Sequence, residues 1–530
     1  AVYLIGDDGY YATDVATGKP LIWDPIDSTA KTFDDPLVRD FALEGRYQVN
    51  GRTLPTAFTL VKEAVRGYSP EWAETITTVP AGTIRRIARE FVEAAHIGES
   101  ITLVGVELPY RPALVKGERG SLGKFGGAYQ HLVHKMLNML VGSLDVPGGD
   151  LGSETGPVLK PGPDGVVAPK REAIPVPFKY PPDVDLAQYY PNRHTLPHMA
   201  WKVVLDPAKY GVPYELEALM IYGGNPITNN SNPDEAIAAL CKIPFVVNIA
   251  YIYDEAAELS DILLPEPALF ERYGIQALGT GHFVQAQDAS MLQTSGVLAR
   301  MPVIPLQHKT RQADDIYLEL AERVGFLYGE GGLNDHLNRF WELQDPDKLE
   351  LDKRYNTAEI LDRVLKSKFN VEHGLEYFRD SGLYYKTRSK AESYNYYYYP
   401  QGTTRYAFYF QHLLRTGDTL RRNLSEHNLT IPGQNMAEVW RFYQAVPQWV
   451  GRPDEHIPAE YDLVAMNWAT PQFRMNCADQ TGNPLLNEVV DECDPYQFVV
   501  LMNRETAARK GLCEGDEVII EAYWGGTAQG

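Results

Sequence analysis

Cysteine is scarce in this chain of 530 residues, which contains only Cys241, Cys477, Cys493 and Cys513. None of the four makes a C-x-x-C pair or a spacing typical of zinc or iron–sulfur ligation, so no cluster is predicted within this stretch. Four scattered thiols also leave the redox compartment open, because buried cysteines behave as small apolar residues.

Positive charge is in deficit as well, with 49 Lys and Arg against 70 Asp and Glu and a formal net charge of -21. Nucleic-acid binding needs clustered Lys and Arg, so a small-molecule substrate or a protein partner is predicted instead. No apolar run reaches the roughly 18 to 20 residues that cross a bilayer, and no basic-then-apolar signal opens the sequence. A direct membrane span is not expected, and the compartment, cytoplasmic or periplasmic, stays open.

Motifs of several large enzyme classes are also missing. The sequence has no nucleophile elbow, P-loop, HExxH motif or GxGxxG fingerprint, so hydrolase and kinase functions lack support. His131 and His134 share a helical face, but no third ligand lies nearby in sequence. Structural histidines are therefore favoured over a metal site.

The regular elements that are present alternate between helix and strand. Pro80 and the apolar repeat after it predict a helix, the run from Ile101 to Val106 predicts a buried strand, and a helix is expected near 128–141. Between 152 and 190 proline and glycine are dense and periodicity disappears, which predicts a long crossover. The runs 498–501 and 517–520 predict strands of a small C-terminal β-barrel.

Residues 216 to 274 hold the pattern that points most directly to a ligand. Apolar runs at 219–222, 245–247 and 261–264 predict core strands of a parallel sheet, with a helix at 233–240 between the first two and another at 313–324. In such a sheet, ligands bind in the loops that follow the carboxyl ends of the strands.

Two sets of residues in or near these loops could carry chemistry. Gly223 and Gly224 let the backbone approach a ligand, Asn225 can hydrogen-bond a phosphate, sugar or base, and Pro226 makes the turn rigid, although a plain turn is the alternative. Carboxylates can accept hydrogen bonds from a purine or ribose, although solvated surface acids are equally expected. These carboxylates are Glu255, Asp261 and Glu271.

A second polar and aromatic cluster lies in the predicted barrel, at 467–476 and 479–487. Such a loop suits a heterocycle that carries many hydrogen-bonding groups, with a plain loop as the alternative.

Taken in order, these segments resemble the large catalytic subunits of the molybdenum or tungsten bis-pyranopterin guanine dinucleotide oxidoreductases, the dimethyl-sulfoxide-reductase family. Five landmarks occur in the family's order, between about Thr78 and Gly515. They are Thr78–Ile84, Leu140–Gly149, Gly223–Pro226, Asp254–Pro265 with Glu271 and Gly274, and Thr481–Leu486.

The resemblance implies an α/β fold with parallel-sheet dinucleotide-binding domains and a C-terminal β-barrel domain. Residue 1 is Ala rather than Met, and both ends look like the middle of a domain, so we expect the chain to be incomplete at both ends. The implied domains are the later part of an α/β cofactor domain at 1–105, a second α/β cofactor domain at 106–330 with its crossover at 152–190, a mixed connecting region at 331–455, and an incomplete pterin-covering barrel at 456–530.

The implied cofactor is a bis-molybdopterin guanine dinucleotide with Mo or W, and a 4Fe-4S cluster is expected in the missing N-terminal part. The family also implies that the partner is an iron–sulfur electron-transfer subunit. The expected cofactor-binding residues are Gly223, Gly224, Asn225, Pro226, Asn248, Glu255, Asp261, Asn467, Thr470, Arg474, Gln480, Thr481, Asn483 and Asn487.

The chain departs from the family at two places. Where relatives often carry an Asp that reads guanine, this chain has Ala250, with Asn248 and Asp254 as possible substitutes, and Arg474 and Met475 lie where relatives often carry a histidine. The expected activity is two-electron or oxygen-atom transfer on a small molecule. The alternatives are a non-redox hydratase or hydroxyl transferase of the same family, or a degenerate, cofactor-free structural or electron-relay subunit.

Overall fold

The computed structural model of the protein mixes helices with small sheets, as expected for an α/β protein. It describes residues 1–117, 126–150, 159–161, 167–169, 197–228, 232–278, 294–387, 391, 394, 408–429, 436–451, 459–465, 488–489, 492, 499–524 and 527–529. The implied domain boundaries stay predictions.

Residues 1–117 and 126–141 form antiparallel hairpins and helices. The predicted helix after Pro80 is present, although Ala81 is its only buried residue. The predicted buried strand at 101–106 is wrong, because the chain reverses at Val104 and Gly105, whose φ angles of 51° and 78° produce a hairpin. The elements are β1 (Leu21–Asp24), β2 (Thr29–Thr32), β3 (Arg46–Val49), β4 (Arg52–Pro55), α1 (Ala57–Val65), α2 (Pro70–Thr77), α3 (Ala81–Ala94), β5 (Ser100–Leu103), β6 (Val106–Pro109) and α4 (Gly127–Val141).

The predicted parallel sheet is confirmed in the next part of the chain. The elements there are β7 (Leu159–Pro161), β8 (Val167–Pro169), α5 (Pro197–Leu205), β9 (Leu219–Tyr222), α6 (Pro233–Lys242), β10 (Val246–Ala250), α7 (Glu255–Glu258) and β11 (Ile262–Pro265). β10 lies between β9 and β11 and pairs with both in parallel. The Asn232 side chain caps α6 by accepting from the Glu235 N–H, and Pro233 fixes its first turn.

The second half of the chain adds an antiparallel sheet and several helices. Its strand order is β12-β13-β14, and the helices pack beside it. The elements are β12 (Gly274–Leu278), β13 (Thr294–Arg300), α8 (Ala313–Arg323), α9 (Leu333–Phe340), α10 (Thr357–Ser367), α11 (Leu375–Ser381), β14 (Leu383–Thr387), α12 (Gln411–Glu426), α13 (Met436–Val439), α14 (Arg504–Arg509), β15 (Ala522–Trp524) and β16 (Thr527–Gln529).

The two faces of the parallel sheet are covered by different helices. Ile221 and Val246 pack with Leu240 and other residues of α5 and α6, whereas Ile249 packs with Ala313 and Ile316 of α8. Full burial of an aliphatic side chain contributes about 1.5–3 kcal/mol, so these contacts hold the strands in place. Gly223, Gly224 and Tyr251, which follow strands at the carboxyl edge of the sheet, are exposed, and the candidate site lies there.

The C-terminal part differs from the sequence-based expectation. Residues 499–501 and 517–520 belong to no strand, so that strand prediction is wrong. Val499 and Ile519 are 50% and 89% exposed, and an apolar run forms a strand only where a neighbour pairs with it. The described residues form no closed sheet, and most of the predicted barrel loop lies outside them.

Most of the predicted crossover at 152–190 also lies outside the described residues; within it the structure describes the short antiparallel pair β7 and β8. Across the described ranges, no helix is long and apolar enough to cross a membrane.

Candidate functional site

Three loops meet at the carboxyl edge of the parallel sheet. β9 ends at Tyr222, β10 at Ala250 and β11 at Pro265, and the register pairs Tyr222 with Ile249 and Ala250 with Pro265. Because the strands run in the same direction, the segments that follow them lie side by side. This edge is the usual ligand position in open α/β sheets.

Gly223 makes the first loop possible. Its φ of +69° lies in the left-handed region, which residues with a Cβ atom avoid. A Cβ added there would meet no atom within 4 Å, so the backbone conformation, and not crowding, calls for glycine. Gly223 and Gly224 are both exposed, so their backbone can be approached from solvent.

Asn225 ties this loop to the loop after β10. Its Oδ1 accepts from the N–H groups of Ile227 at 3.1 Å and Thr228 at 3.4 Å, while its Nδ2 donates to Glu255 Oε2 at 2.6 Å. Both polar atoms of the amide are therefore occupied in holding the loops together. Asn225 thus fixes the direction of the Glu255 carboxylate, and its predicted contact with a cofactor stays a prediction.

Glu255 is the exposed acceptor of the pair. It begins α7, whose N-cap Asp254 accepts from the Ala257 N–H at 2.8 Å. Asn225 engages Oε2, and Oε1 has no hydrogen-bond partner among the described residues. The second oxygen is free to accept from a ribose hydroxyl or a purine N–H.

Asn248 lies beneath these loops in the middle of β10. It is 1% exposed and pairs with Ile221, on the sheet face that packs against α6. Its Nδ2 is buried and has no hydrogen-bond partner in the described part of the chain. A buried amide donor without a partner costs about 1–3 kcal/mol, which an acceptor on a ligand could offset.

Asp261 does not join this group. It precedes β11 and lies at the opposite, amino edge, where its Oδ2 accepts from the Val246 N–H at 2.7 Å. A five-residue strand such as β10 separates the two edges by roughly 13 Å. Glu271 is buried and accepts from the Gln307 N–H at 3.0 Å, so it too has a structural partner.

Exposed aromatic rings surround the loops, and sequence reasoning missed them. Tyr251 and Tyr253 follow β10 and are 52% and 71% exposed, and Tyr222 at the end of β9 is 45% exposed. The sequence could have indicated these tyrosines, because each stands at or just after the end of an apolar run. Exposed rings grouped in this way are typical of surfaces that stack a flat ligand.

The α8 side of the same edge carries a charged group that was also missed. Glu266 follows β11 and is 5% exposed; its Oε1 accepts from Arg272 Nη1 at 2.6 Å and from the Tyr222 hydroxyl at 3.1 Å. Burial, and then Glu266, raises the pKa of Tyr222, so its hydroxyl keeps its proton. Arg300 approaches from β13, where its Nε donates to the Arg272 carbonyl at 3.3 Å.

Several predicted residues cannot be placed. Asn467, Thr470, Arg474, Gln480, Thr481, Asn483 and Asn487 lie outside the described residues, as do Cys477 and Cys493. Cys241 and Cys513 are free and exposed. Within the described ranges no group of three His, Cys, Asp or Glu side chains could hold a metal ion, His131 and His134 included.

Comparison with known proteins gives distant relatives of one kind. The chain is 25% identical over 336 residues to a sulfite dehydrogenase subunit of Allochromatium vinosum, covering 54% of this chain and 33% of that protein. It is 23% identical over 365 residues to dopamine dehydroxylase of Eggerthella lenta, covering 66% and 32%. It is 28% identical over 233 residues to the molybdopterin-containing subunit of arsenate respiratory reductase from Shewanella sp., covering 41% and 24%.

The matched region spans about a third or less of the length of these curated relatives. No protein-family model matches the chain. Among solved structures, acetylene hydratase from Pelobacter acetylenicus aligns with a TM-score of 0.40 and 16% identity over 63% of this chain and 41% of that one, too low a likeness to bear on function.

The relatives define a class of molybdopterin-containing oxidoreductases. The chain is similar, at 23–28% identity, to catalytic subunits of the dimethyl-sulfoxide-reductase family, the family that its ordered landmarks resemble.

Proposed function

We propose that this chain is the cofactor-binding body of a molybdenum- or tungsten-dependent oxidoreductase. It binds two pyranopterin guanine dinucleotides and carries out two-electron or oxygen-atom transfer on a small molecule. The observation that carries the proposal is the Gly223–Pro226 loop, which Asn225 ties to Glu255 at the carboxyl edge of the sheet.

The residues at this edge suit the nucleotide end of such a cofactor. Gly223 and Gly224 let a phosphate or sugar approach the backbone, and Glu255 Oε1 accepts from the ribose or the purine. Asn248 supplies a buried donor below the loops, and Tyr251 and Tyr253 offer rings that stack on the base. Asn225 is a positioning residue, because its amide fixes the direction of the Glu255 carboxylate.

When bound, the cofactor supplies the redox-active metal, and the protein supplies orientation and electrostatics. We further propose that the C-terminal region forms the pterin-covering barrel. Its proposed contacts are Asn467, Thr470, Arg474, Gln480, Thr481, Asn483 and Asn487. The whole protein would also use a 4Fe-4S cluster and an iron–sulfur partner subunit to exchange electrons.

The names of the relatives suggest which substrates to test first. Two of them are named for sulfite and arsenate, which are inorganic oxyanions. An oxyanion of this kind is therefore the first substrate to test for this chain, and aromatic substrates come second because one relative is named for dopamine.

The test is the content of the native protein. We expect molybdenum or tungsten by metal analysis, and guanine nucleotide released on denaturation. Protein that carries neither would overturn the proposal, and the explanation left would be a structural subunit without cofactor.

A matched pair of variants tests the site itself. Glu255→Gln removes a charge-assisted acceptor, so nucleotide retention should weaken about 10- to 100-fold, since such hydrogen bonds contribute about 1.5–3 kcal/mol. Glu258→Gln makes the same change on the same short helix, at an exposed residue without a described side-chain partner, and should retain the nucleotide. Equal retention in both variants would remove Glu255 from the site.

A further inference from the structure

Two arginines lie close to one buried carboxylate on the α8 side of the carboxyl edge. Glu266 supplies one carboxylate, while Arg272 and Arg300 supply two guanidinium groups. Arg272 uses Nη1 for Glu266, and its Nε is buried without a hydrogen-bond partner among the described residues. Among the described residues, no carboxylate pairs with the Arg300 guanidinium, whose hydrogen bond there goes to the Arg272 carbonyl.

The position of Arg300 depends on Gly274, its partner across the β12 and β13 ladder. A Cβ added to Gly274 would lie 2.8 Å from Arg300 Nη2 and 3.3 Å from its Cζ. The guanidinium therefore occupies the space that a side chain at position 274 would need. This packing holds Arg300 beside Arg272 instead of letting it extend into solvent.

Two guanidinium groups held side by side, such as Arg272 and Arg300, cost free energy unless a nearby negative charge offsets their repulsion. Burial, and then the Arg272 cation, lowers the pKa of Arg300, and Glu266 acts against this more weakly. Asp314 is the second carboxylate of this region; it accepts from Gln312 Nε2 at 2.9 Å, and its charge raises the pKa of the Tyr222 and Tyr317 hydroxyls after burial and Glu266. Partly buried charges in proteins are normally paired, and the Arg300 guanidinium has no described carboxylate partner, so it has capacity for a bound anion.

We infer that Arg272 and Arg300 form an anion subsite that binds a phosphate group at the carboxyl edge of the parallel sheet. Guanidinium groups present a planar fork of donors that fits a phosphate oxygen pair. The protonated Tyr222 hydroxyl and the backbone of Gly223 lie on the same edge. The phosphate comes from a nucleotide cofactor, which rests on the proposed function, or from free inorganic phosphate.

Arg300 is the residue to change, because removing Arg272 would leave the buried Glu266 carboxylate unpaired. Inorganic phosphate is the probe, and its binding to the full chain is followed by calorimetry and by the rise in unfolding temperature. Arg300→Gln should weaken binding about tenfold or more, as expected for loss of a charge-assisted contact. Without phosphate, its unfolding temperature should stay the same or rise, because a like charge has been removed.

Two further variants sharpen the result. Arg300→Lys keeps the charge without the fork and should bind phosphate with intermediate affinity. Arg323→Gln removes a cation at a 73% exposed position on α8 and should leave binding unchanged. If Arg300→Gln lowers the unfolding temperature while phosphate binds as before, Arg300 is structural and the inference is wrong.

Phosphate binding by the holoprotein and by cofactor-free protein distinguishes the two sources of the phosphate, nucleotide cofactor and free ion. A nucleotide phosphate in the subsite predicts that phosphate binds only after the cofactor is released and that Arg300→Gln retains less nucleotide. A free-ion site predicts phosphate binding by the holoprotein as well. Arg300-dependent phosphate binding in protein that never carries nucleotide or metal would keep the inference and end the proposed function. If wild type and Arg300→Gln hold nucleotide equally and phosphate binding does not depend on Arg300, the proposed function stands and the inference is wrong.

Discussion

Two buried carboxylates of this chain, Asp24 near the N-terminus and Glu266 at the sheet edge, are surrounded by charge in different ways. Asp24 is 0% exposed and is saturated with donors from a cation and the backbone. Its carboxylate accepts from Lys31 Nζ at 2.8 Å, Arg39 N at 2.9 Å, Ile26 N at 3.0 Å and Asp27 N at 3.4 Å. Every one of these contacts holds a turn of the N-terminal unit together.

Around Glu266, by contrast, some hydrogen-bond donors of the neighbouring arginines have no described side-chain acceptor. One carboxylate faces two arginines, and Arg272 Nε and the Arg300 guanidinium keep donors that no described side chain uses. The comparison teaches that burial alone does not mark a functional charge. A saturated cluster stabilises the fold, whereas a cluster with spare donors at a sheet edge has capacity for a ligand.

The largest effect on stability is expected from Asp24→Asn. The substitution replaces the Oδ2 acceptor of Lys31 Nζ and the Arg39 N–H by an NH₂ donor, so Lys31, whose side chain is 11% exposed, loses its buried anionic partner, while the remaining oxygen can still accept from Ile26 and Asp27. Thermal unfolding followed by circular dichroism should show a fall of several degrees, with nucleotide and metal content per folded molecule unchanged. An unfolding temperature equal to that of the wild type would contradict the structural role of this cluster.

Asp34→Asn is the matched control, because Asp34 pairs with Lys19 on the surface, where both side chains are more than a third exposed. Exposed ion pairs contribute about 0–1 kcal/mol, so little change is expected.

The hydrogen bond from Lys31 lowers the pKa of Asp24 below its ordinary value of 3.8. Its contribution is therefore complete above about pH 4 and is lost as pH falls through the lowered pKa, and Asp24→Asn should lose this part of the acid response.

Gly223→Ala is expected to have the next largest effect. A Cβ at a φ of +69° costs about 1–2 kcal/mol, and relaxation of the loop should move Asn225 and Glu255 apart. Gly211→Ala is its control, since Gly211 has a φ of +67° and equally open surroundings but lies outside the site. Urea unfolding should show similar losses for both, with reduced nucleotide retention for Gly223→Ala alone. Equal retention would show that the loop does not contact the cofactor.

Tyr129→Phe should have a smaller effect that depends on pH. Burial raises the pKa of Tyr129 to about 12, and its hydroxyl donates to the Val446 carbonyl at 2.5 Å. Because the folded pKa lies above the unfolded value near 10, the contribution is present below pH 10 and is lost as pH rises toward 12. At pH 8 the variant should be less stable by about 1 kcal/mol. That deficit should shrink in unfolding curves at higher pH, and a constant difference from pH 8 to 12 would argue against this assignment.

The sequence was sufficient to predict the parallel sheet because its signals are local. The apolar runs of β9 to β11, the Asn232 cap and Pro233 each act within a few residues. The hairpin at Val104 was missed because valine rarely adopts a positive φ. The strand predictions at 498–501 and 517–520 were wrong because a strand needs a neighbouring strand to pair with, and a run of apolar residues does not specify that neighbour.

The site was predictable only in part for a related reason. Gly223, Asn225 and Glu255 could be named from their places after strands, but the contact between Asn225 and Glu255 joins residues 30 positions apart and depends on the register. Asp261 looks equivalent to Glu255 in the sequence and lies at the other edge. Arg300 could not be found at all, because it reaches Arg272 through the pairing of β13 with β12.

The most direct test of the central claim is an experimental electron-density map of the native protein. We expect guanine nucleotide density beside Gly223 and Gly224, with a ribose or purine group within hydrogen-bonding distance of Glu255 Oε1. A map in which the protein retains metal and nucleotide elsewhere, while Glu255 and this loop face solvent, would contradict the account.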